Sequence, residues 1–269
     1  VNLAERIEGA YRELSPQEQR AADFMRDHLA DLAVYNATEV ATLSGVSKAT
    51  VSRLYRRLGF EGAEELRDHV RALRNSGTPL ATAPAGFAEH VEQEIANLRS
   101  ALTGLDLAPA ASLIAGARRV LVVGFRNSYP MALHLRQQLA QARDGVELAP
   151  LPGQSVGEEL SSLSAADVAV LVGFRRRPSL FPALMETLAA GPARIVLLTD
   201  AGGRRYAQSV DVALECPVDS VSAFDSYAAA ASVVNLLSSA VLGERLSDGR
   251  ARIADIGGAY RDLDELETV

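Results

Sequence analysis

Four cations with no acid among them, Lys48, Arg53, Arg56 and Arg57, fall between positions 48 and 57, and the residues around them are of the kind that delivers such charges to nucleic acid. Ser47 precedes them as a helix N-cap. Its hydroxyl is expected to accept hydrogen bonds from backbone amides near Ala49 and Thr50, so Lys48, Ala49, Ser52 and Arg53 stand early on one helix. Ahead of the cap, Ala41 is small where a preceding helix must approach, Gly45 lies where the chain turns, and Val46 and Val51 can pack between the two helices. The pattern is a helix-turn-helix, a motif whose second helix enters the major groove of double-stranded DNA. Ala49 and Thr50 can then touch a thymine methyl, Arg53 a guanine edge or a phosphate, and Arg56 and Arg57 can neutralise phosphates. The expected DNA-facing set is Ser47, Lys48, Ala49, Thr50, Ser52, Arg53, Arg56 and Arg57. A helical hairpin whose cations merely face water is the competing reading; the serine cap, the unopposed charges and the closing Leu58-Gly59-Phe60 favour DNA.

A second concentration of charge, Arg175-Arg176-Arg177-Pro178-Ser179, directly follows an apolar run from Val168 to Phe174. Guanidinium groups hold a phosphate or carboxylate bidentately and keep their charge at every physiological pH. Pro178 suits the first turn of a helix, which would set Arg175 and Arg176 just before a helix N-terminus. Two other loops belong beside this one if the runs before them are parallel strands: Gly124-Phe125-Arg126-Asn127-Ser128 and Thr199-Asp200. Ligands of open α/β sheets gather beyond the carboxyl ends of the strands. The expected site for a small anionic effector is therefore Arg126, Asn127, Ser128, Arg175, Arg176, Ser179 and Thr199. The alternative is structural: Arg175 to Arg177 pair with Glu158, Glu159, Asp225 or a partner subunit. Phe224-Asp225-Ser226 opens the last long helix, where Asp225 or Ser226 caps it or reaches the same pocket.

The elements that must position these residues differ between the two halves. From residue 120 onward, short continuous apolar runs at Val120 to Phe125, Val168 to Phe174 and Ile195 to Thr199 predict strands covered on both faces, with weaker candidates at Val146 to Leu151 and Asp211 to Cys216. Helical stretches at Tyr129 to Ala142, Ser179 to Ala190 and Ser226 to Leu242 intervene. Such alternation requires crossover connections and hence a mostly parallel, five-stranded sheet with helices on both faces. The fold class expected is an all-α helix-turn-helix domain followed by an α/β domain. The segment Asn75 to Gly86 is rich in Pro, Gly and small residues, the composition of a linker, and Phe87, Val91, Ile95, Leu98 and Leu102 then recur at helical spacing. The boundaries expected are 1–76 for DNA binding, 77–106 for the linker and connecting helix, 107–245 for effector binding and 246–269 for a C-terminal tail. In that tail Gly257-Gly258 is read as a break.

Leu14-Ser15-Pro16-Gln17-Glu18-Gln19-Arg20, the hairpin, and Leu58-Gly59-Phe60-Glu61-Gly62 with Glu65-Leu66 resemble the N-terminal domain of RpiR-type bacterial transcriptional regulators over about the first 75 residues. The resemblance implies a C-terminal sugar isomerase (SIS) domain that senses a small molecule, and the element order over residues 107 to 245 is similar to that domain. Asn127 and Ser128 match its ligand-binding loop after the first strand. The loop after Phe174 departs from it: sugar-phosphate SIS domains have a Ser- and Thr-rich turn with glycine, where this chain has three arginines and a proline.

Net charge is −7 over 269 residues, yet the acids Glu5, Glu8, Glu13, Glu18, Asp23, Asp27 and Asp31 precede the basic helix, and distant carboxylates are screened beyond about 8 Å at physiological salt. One cysteine, Cys216, excludes an internal disulfide and a cysteine-based zinc site and belongs to a core or an interface. No apolar run is long enough to cross a membrane and no leader segment is evident, so a cytoplasmic location is expected. Glycines for a pyrophosphate, a Walker loop and paired metal-binding histidines are missing, and no cofactor or metal is expected. SIS domains also serve as aldose–ketose isomerases, which need a placed general base. His28, His69, His90 and His134 fall away from the strand ends, leaving Glu158 and Glu159 as the candidates for that reading. The partners expected are an operator duplex, a small anionic effector and further copies of the chain, as a homodimer or homotetramer.

Overall fold

A computed structural model describes residues 3–29, 32, 35–76, 86–222 and 224–265. The core of the expected linker, residues 77–85, lies outside them. The chain divides into two compact units, Val1–His90 with Ser220–Asp225, and Val91–Asp219 with Ser226–Val269.

In the first unit five helices, α1 (Leu3–Ala10), α2 (Pro16–Asp27), α3 (Ala37–Ser44), α4 (Lys48–Arg57) and α5 (Ala63–Ser76), surround one apolar core. Local chemistry sets their starts. Ser15 and Glu18 form a reciprocal capping box on α2, Asn36 and Glu39 form another on α3, and Ser47 caps α4 by accepting from the Thr50 amide at 3.1 Å. Each such cap satisfies amides that a helix start leaves without an internal partner. Leu54, Val51, Val40, Ile7, Met25 and Leu66 are buried together, and Tyr55 fills the space between them.

The second unit holds a five-stranded parallel sheet in the order β2-β1-β3-β4-β5, with β1 (Val120–Gly124), β2 (Val146–Ala149), β3 (Val168–Gly173), β4 (Arg194–Thr199) and β5 (Val212–Glu215). Every strand lies within two residues of its expected ends. Alternate side chains point to opposite faces. Val120, Val122, Val170, Val172, Val196 and Leu198 meet helices α7 (Ala108–Gly116), α8 (Tyr129–Ala142) and α11 (Ala228–Glu244). Leu121, Val123, Ala169, Leu171, Ile195 and Leu197 meet α10 (Phe181–Ala190) on the other side. Helix α6 (Phe87–Leu102) leads in, and the short α9 (Gly157–Ser161), which no periodicity marked, precedes β3.

Two expectations are corrected. The chain does not break at Gly257-Gly258: α12 (Leu246–Asp262) runs through both glycines. Glycine weakens a helix by about 1 kcal/mol each, but tertiary contacts hold this one, with Arg252 Nε donating to the Ala140 carbonyl at 2.6 Å and Gly249 lying close against Leu242 and the Ala142 carbonyl. Pro178 does not begin a helix either. Helix α10 starts at Phe181 with Pro182 in its first turn, and the Pro178 carbonyl instead accepts the Phe181 amide in the preceding turn at 2.9 Å.

Asp167 ties the start of β3 to the start of β1. Its carboxylate, wholly buried, accepts from Arg118 at 2.7 Å and from the Ser164 amide and hydroxyl at 2.8 Å. Burial alone would raise its pKa, but Arg118 and Ser164 outweigh that and hold it at about 2, below the ordinary 3.8. A lowered folded-state value means stability that is present above pH 3.8 and lost as the pH falls toward 2. Denaturant titrations at stepped pH should show Asp167→Asn less stable than the parent at neutral pH and less sensitive to acid; parallel acid profiles would show that this carboxylate does not hold the junction.

Candidate functional sites

The turn between α3 and α4 is built on Gly45, which ends α3 at φ +68°. Only glycine adopts this left-handed conformation without cost. Its amide reaches the Ala41 and Thr42 carbonyls, and the Val46 amide bonds Ala41 O at 3.0 Å, a helix stop that aims the chain into the Ser47 cap. Helix α4 then buries Thr50, Val51, Leu54 and Tyr55. Ser47, Lys48, Ala49, Arg53, Arg56 and Arg57 are exposed and Ser52 half-buried. Positions 49, 52, 53 and 56 share one face of the helix.

Two residues of the expected DNA-facing set have other employment in the fold. Thr50 is only 4% exposed, with its Oγ1 at 2.9 Å from Ser47 Oγ, so its hydroxyl supports the cap and its methyl is turned from solvent. Arg57 leans back to α2: its Nη1 donates to the Glu13 carbonyl at 2.7 Å and its Nε faces Glu18 at 3.6 Å. Glu18 is 4% exposed. The Ser15 backbone amide holds its carboxyl below the usual range against the opposing effect of burial, helped by the Ser15 hydroxyl and by Arg57 and Arg53. Arg57 thus braces the recognition helix against α2. Sequence spacing could not separate it from Arg56, because the two are neighbours and only the packing of α2 tells them apart.

In the second unit the chain leaves β1 through α8 to reach β2 on one side, and leaves β3 through α10 to reach β4 on the other. The direction of winding reverses between β1 and β3, and such a reversal opens a crevice beyond the carboxyl ends of those strands. The two expected loops flank it. Ser128 Oγ accepts the Phe174 amide at 3.1 Å and joins them. Each loop carries one arginine in the left-handed region, Arg126 at φ +52° and Arg176 at φ +66°, conformations that non-glycine residues keep only where the surroundings impose them.

The surroundings include a clamp. Arg177 Nη2 bonds Thr199 Oγ1 at 2.5 Å and pairs with Asp200, and its guanidinium lies 5.7 Å from the centre of the Phe181 ring. Thr199 Oγ1 in turn donates to Gly173 O at 2.8 Å. A side chain at Gly203 would collide with Thr199 and Arg177. Asp200 is a partner that neither reading of the arginine run named. Thr199, 2% exposed, and Ser128, also buried, hold the rim from within, whereas Arg126, Asn127 and Ser179 are exposed or half-buried and Arg175 and Arg176 half-buried. Tyr227, just before α11, was missed. Its ring stands edge-on to Phe174 with centroids 5.6 Å apart, and its hydroxyl, pushed up by burial, feels Arg175, Arg176 and Asn127 in the opposite sense. A lone tyrosine fifty residues from the arginines carries no sequence signal. Of the residues expected to cap α11, Ser226 accepts the Ala228 amide at 3.4 Å.

The residues reserved for other chemistry pack elsewhere. His28 stacks on Phe24, with centroids 4.2 Å apart, and His69 lies against Phe60. Cys216 is buried in the core, its thiol pushed up to about 12 chiefly by burial. Glu159 pairs with Arg119, immediately before β1, at 2.6 Å, and Glu158 accepts the Ser155 hydroxyl at 2.5 Å.

A helix-turn-helix unit joined to a parallel α/β unit with an arginine-lined crevice defines a two-part, ligand-responsive class of architecture. The family model for the helix-turn-helix domain of the rpiR family matches residues 1–74 and that for the SIS domain matches residues 113–240. The chain belongs to the rpiR family, with a C-terminal SIS domain. No curated protein sequence matches it. Among solved structures it is similar to the sugar isomerase domain of the RpiR transcription factor from Sphaerobacter thermophilus (TM-score 0.58, 22% identity, 66% of this chain and 98% of that one). It is also similar to the Vibrio vulnificus NanR protein complexed with ManNAc-6P (0.60, 16%, 97% and 99%). A third match is c3406 of E. coli CFT073 in complex with a phosphosugar (0.50, 17%, 63% and 94%). Among the described residues no helix is long and apolar enough to cross a membrane.

The brace predicts unequal effects of neighbouring substitutions. Arg57→Ala should lower the stability of the helical unit by about 1 kcal/mol, since it strands a buried carboxylate, while Arg56→Ala should change it by a few tenths at most. Thermal melts followed by circular dichroism read both; equal shifts would remove the distinction.

Proposed function

We propose that this protein is a DNA-binding transcriptional regulator whose SIS domain senses a small anionic metabolite, of the phosphosugar or carboxylate class, and alters operator binding in response. The observation that carries the reading is the face of α4: Lys48, Ala49, Ser52, Arg53 and Arg56 on the outer side of a capped helix, delivered by a left-handed glycine turn. Lys48 and Arg56 neutralise phosphates, and Arg53 and Ala49 reach base edges. Ser47, Thr50 and Arg57 serve that face by fixing the helix. In the SIS domain, Arg126, Asn127, Arg175, Arg176 and Ser179 face the effector, and Ser128 and Thr199 hold the loops that carry them. The ManNAc-6P complex of NanR and the phosphosugar complex of the E. coli protein support a sugar-phosphate class of ligand. The three arginines favour any oxyanion of that size.

The domains proposed are 1–76 for DNA binding, 77–106 as connector, 107–245 for sensing, and 246–269 as a final segment whose helix α12 packs on α8. The chain acts as a homodimer or homotetramer. Two recognition helices then meet half-sites about 34 Å apart, and an effector that prefers one spacing over another shifts operator affinity some 5- to 150-fold for a coupling of about 1–3 kcal/mol. The isomerase alternative loses its best base, because Glu159 is engaged by Arg119 at the end of β1 opposite the crevice.

Footprinting on the DNA upstream of its own gene tests the reading. A paired protected site is expected, weakening as salt rises because bound counterions are released with each phosphate contact, and weakening at least tenfold in Arg53→Ala. Absence of any specific protection, there or in a genome-wide selection, would make the hairpin an interaction module instead.

A further inference from the structure

The hydroxyl of Tyr227 is in an unusual position. Its oxygen is shielded from solvent and lacks a hydrogen-bond partner among the described residues; Asn127 stands near it without meeting hydrogen-bond geometry. The other polar groups that act on it, Arg175 and Arg176, are donors only. The phenol therefore sits among groups that can donate to its oxygen, and nothing accepts its proton. A buried hydroxyl in this state costs about 1–3 kcal/mol relative to a satisfied one.

Arg176 is in a matching state. It is half-buried, its Nε is shielded and without a hydrogen-bond partner among the described residues, and its backbone is held at φ +66°. The flanking residues are engaged: the Phe174 amide goes to Ser128, and Arg177 to Thr199 and Asp200. That clamp fixes both ends of a short span and leaves the Arg176 conformation determined by its neighbours. Phe174, against which the Tyr227 ring is set edge-on, joins the two halves of the arrangement.

We propose that Arg176 and Tyr227 form the anchoring pair of the effector site, and that what they anchor is an oxyanion, a phosphate monoester or a carboxylate, whose oxygens accept from the guanidinium and from the phenol together. The proposal rests on the effector-sensing reading above and adds to it a residue, Tyr227, and a division of labour. A phosphate or carboxylate presents several lone pairs within one group, which is what a guanidinium edge and a hydroxyl converging from β3 and α11 require. A neutral sugar hydroxyl can satisfy one of them at a time. Because α11 runs through the core beneath the sheet, a ligand that bonds Tyr227 also gains a handle on that helix.

Titration calorimetry on the full chain, with inorganic phosphate and sodium acetate as probes and sodium chloride at matched ionic strength as the control, tests the pair. Millimolar binding of phosphate, acetate or both, with none for chloride, is expected; phosphate alone points to an ester and acetate alone to a carboxylic acid. Tyr227→Phe and Arg176→Gln should each weaken the probe about tenfold. An ultraviolet titration of phenol ionisation supplies a readout that a structural role would not move: the transition present in the parent and absent in Tyr227→Phe should shift to higher pH when the probe is bound, since a nearby anion disfavours the phenolate. If neither probe binds, or if both variants bind like the parent with the phenol transition unmoved, the anchoring pair is overturned. If the pair behaves as expected but the probes and every phosphosugar tried leave operator affinity unchanged, the pair stands as an anion site and the regulatory reading fails.

Discussion

The parallel pairing of β1 with β3 is the constraint on which the rest of the sensing unit depends. Parallel neighbours cannot be joined by a tight turn, so each strand must hand the chain to a helix that returns it to the other end of the sheet. β1 hands off toward β2 and β3 toward β4, and the loops leaving these two strands have no crossover helix between them. The gap is filled by side chains from both loops, joined by Ser128 and Phe174. The arginines stand there because backbone topology leaves room there, and the Arg177 clamp on Asp200 and Thr199 determines which of the three faces inward to the protein.

In the helical unit the corresponding constraint is local. Capping boxes at Ser15 and Asn36 and the cap at Ser47 make each helix start satisfy its own amides, and Gly45 sets the angle between α3 and α4. The helices α8, α10 and α11 begin with no side-chain hydrogen bond from the cap residue itself. The two units are therefore specified differently: one by short sequence signals that act within four residues, the other by burial of a continuous apolar sheet between two helical layers.

Charge follows the same division. A net −7 protein approaches a polyanion through a surface whose acids are neutralised or turned away. Glu18 is buried under Ser15 and Arg57, and Asp23 is paired with Arg26 and accepts the Tyr11 hydroxyl. Whole-chain charge is thus a poor guide to the field at α4, where only groups within about a Debye length count.

The sequence by itself determined the helix-turn-helix down to its cap and its glycine, the five strands and their parallel sense, and the three loops that meet at the strand ends. These signals are local or periodic, and hydrophobic runs and caps act over a few residues whatever the rest of the chain does. Tertiary structure alone decided that Arg57 braces α2 while Arg56 faces outward, that Thr50 and Thr199 are internal, that Arg177 finds Asp200, that Gly257 and Gly258 continue a helix, and that Tyr227 stands beside Arg176. Each of these turns on residues distant in sequence brought within a few ångströms by packing, and chain position carries no information about side-chain direction at that range.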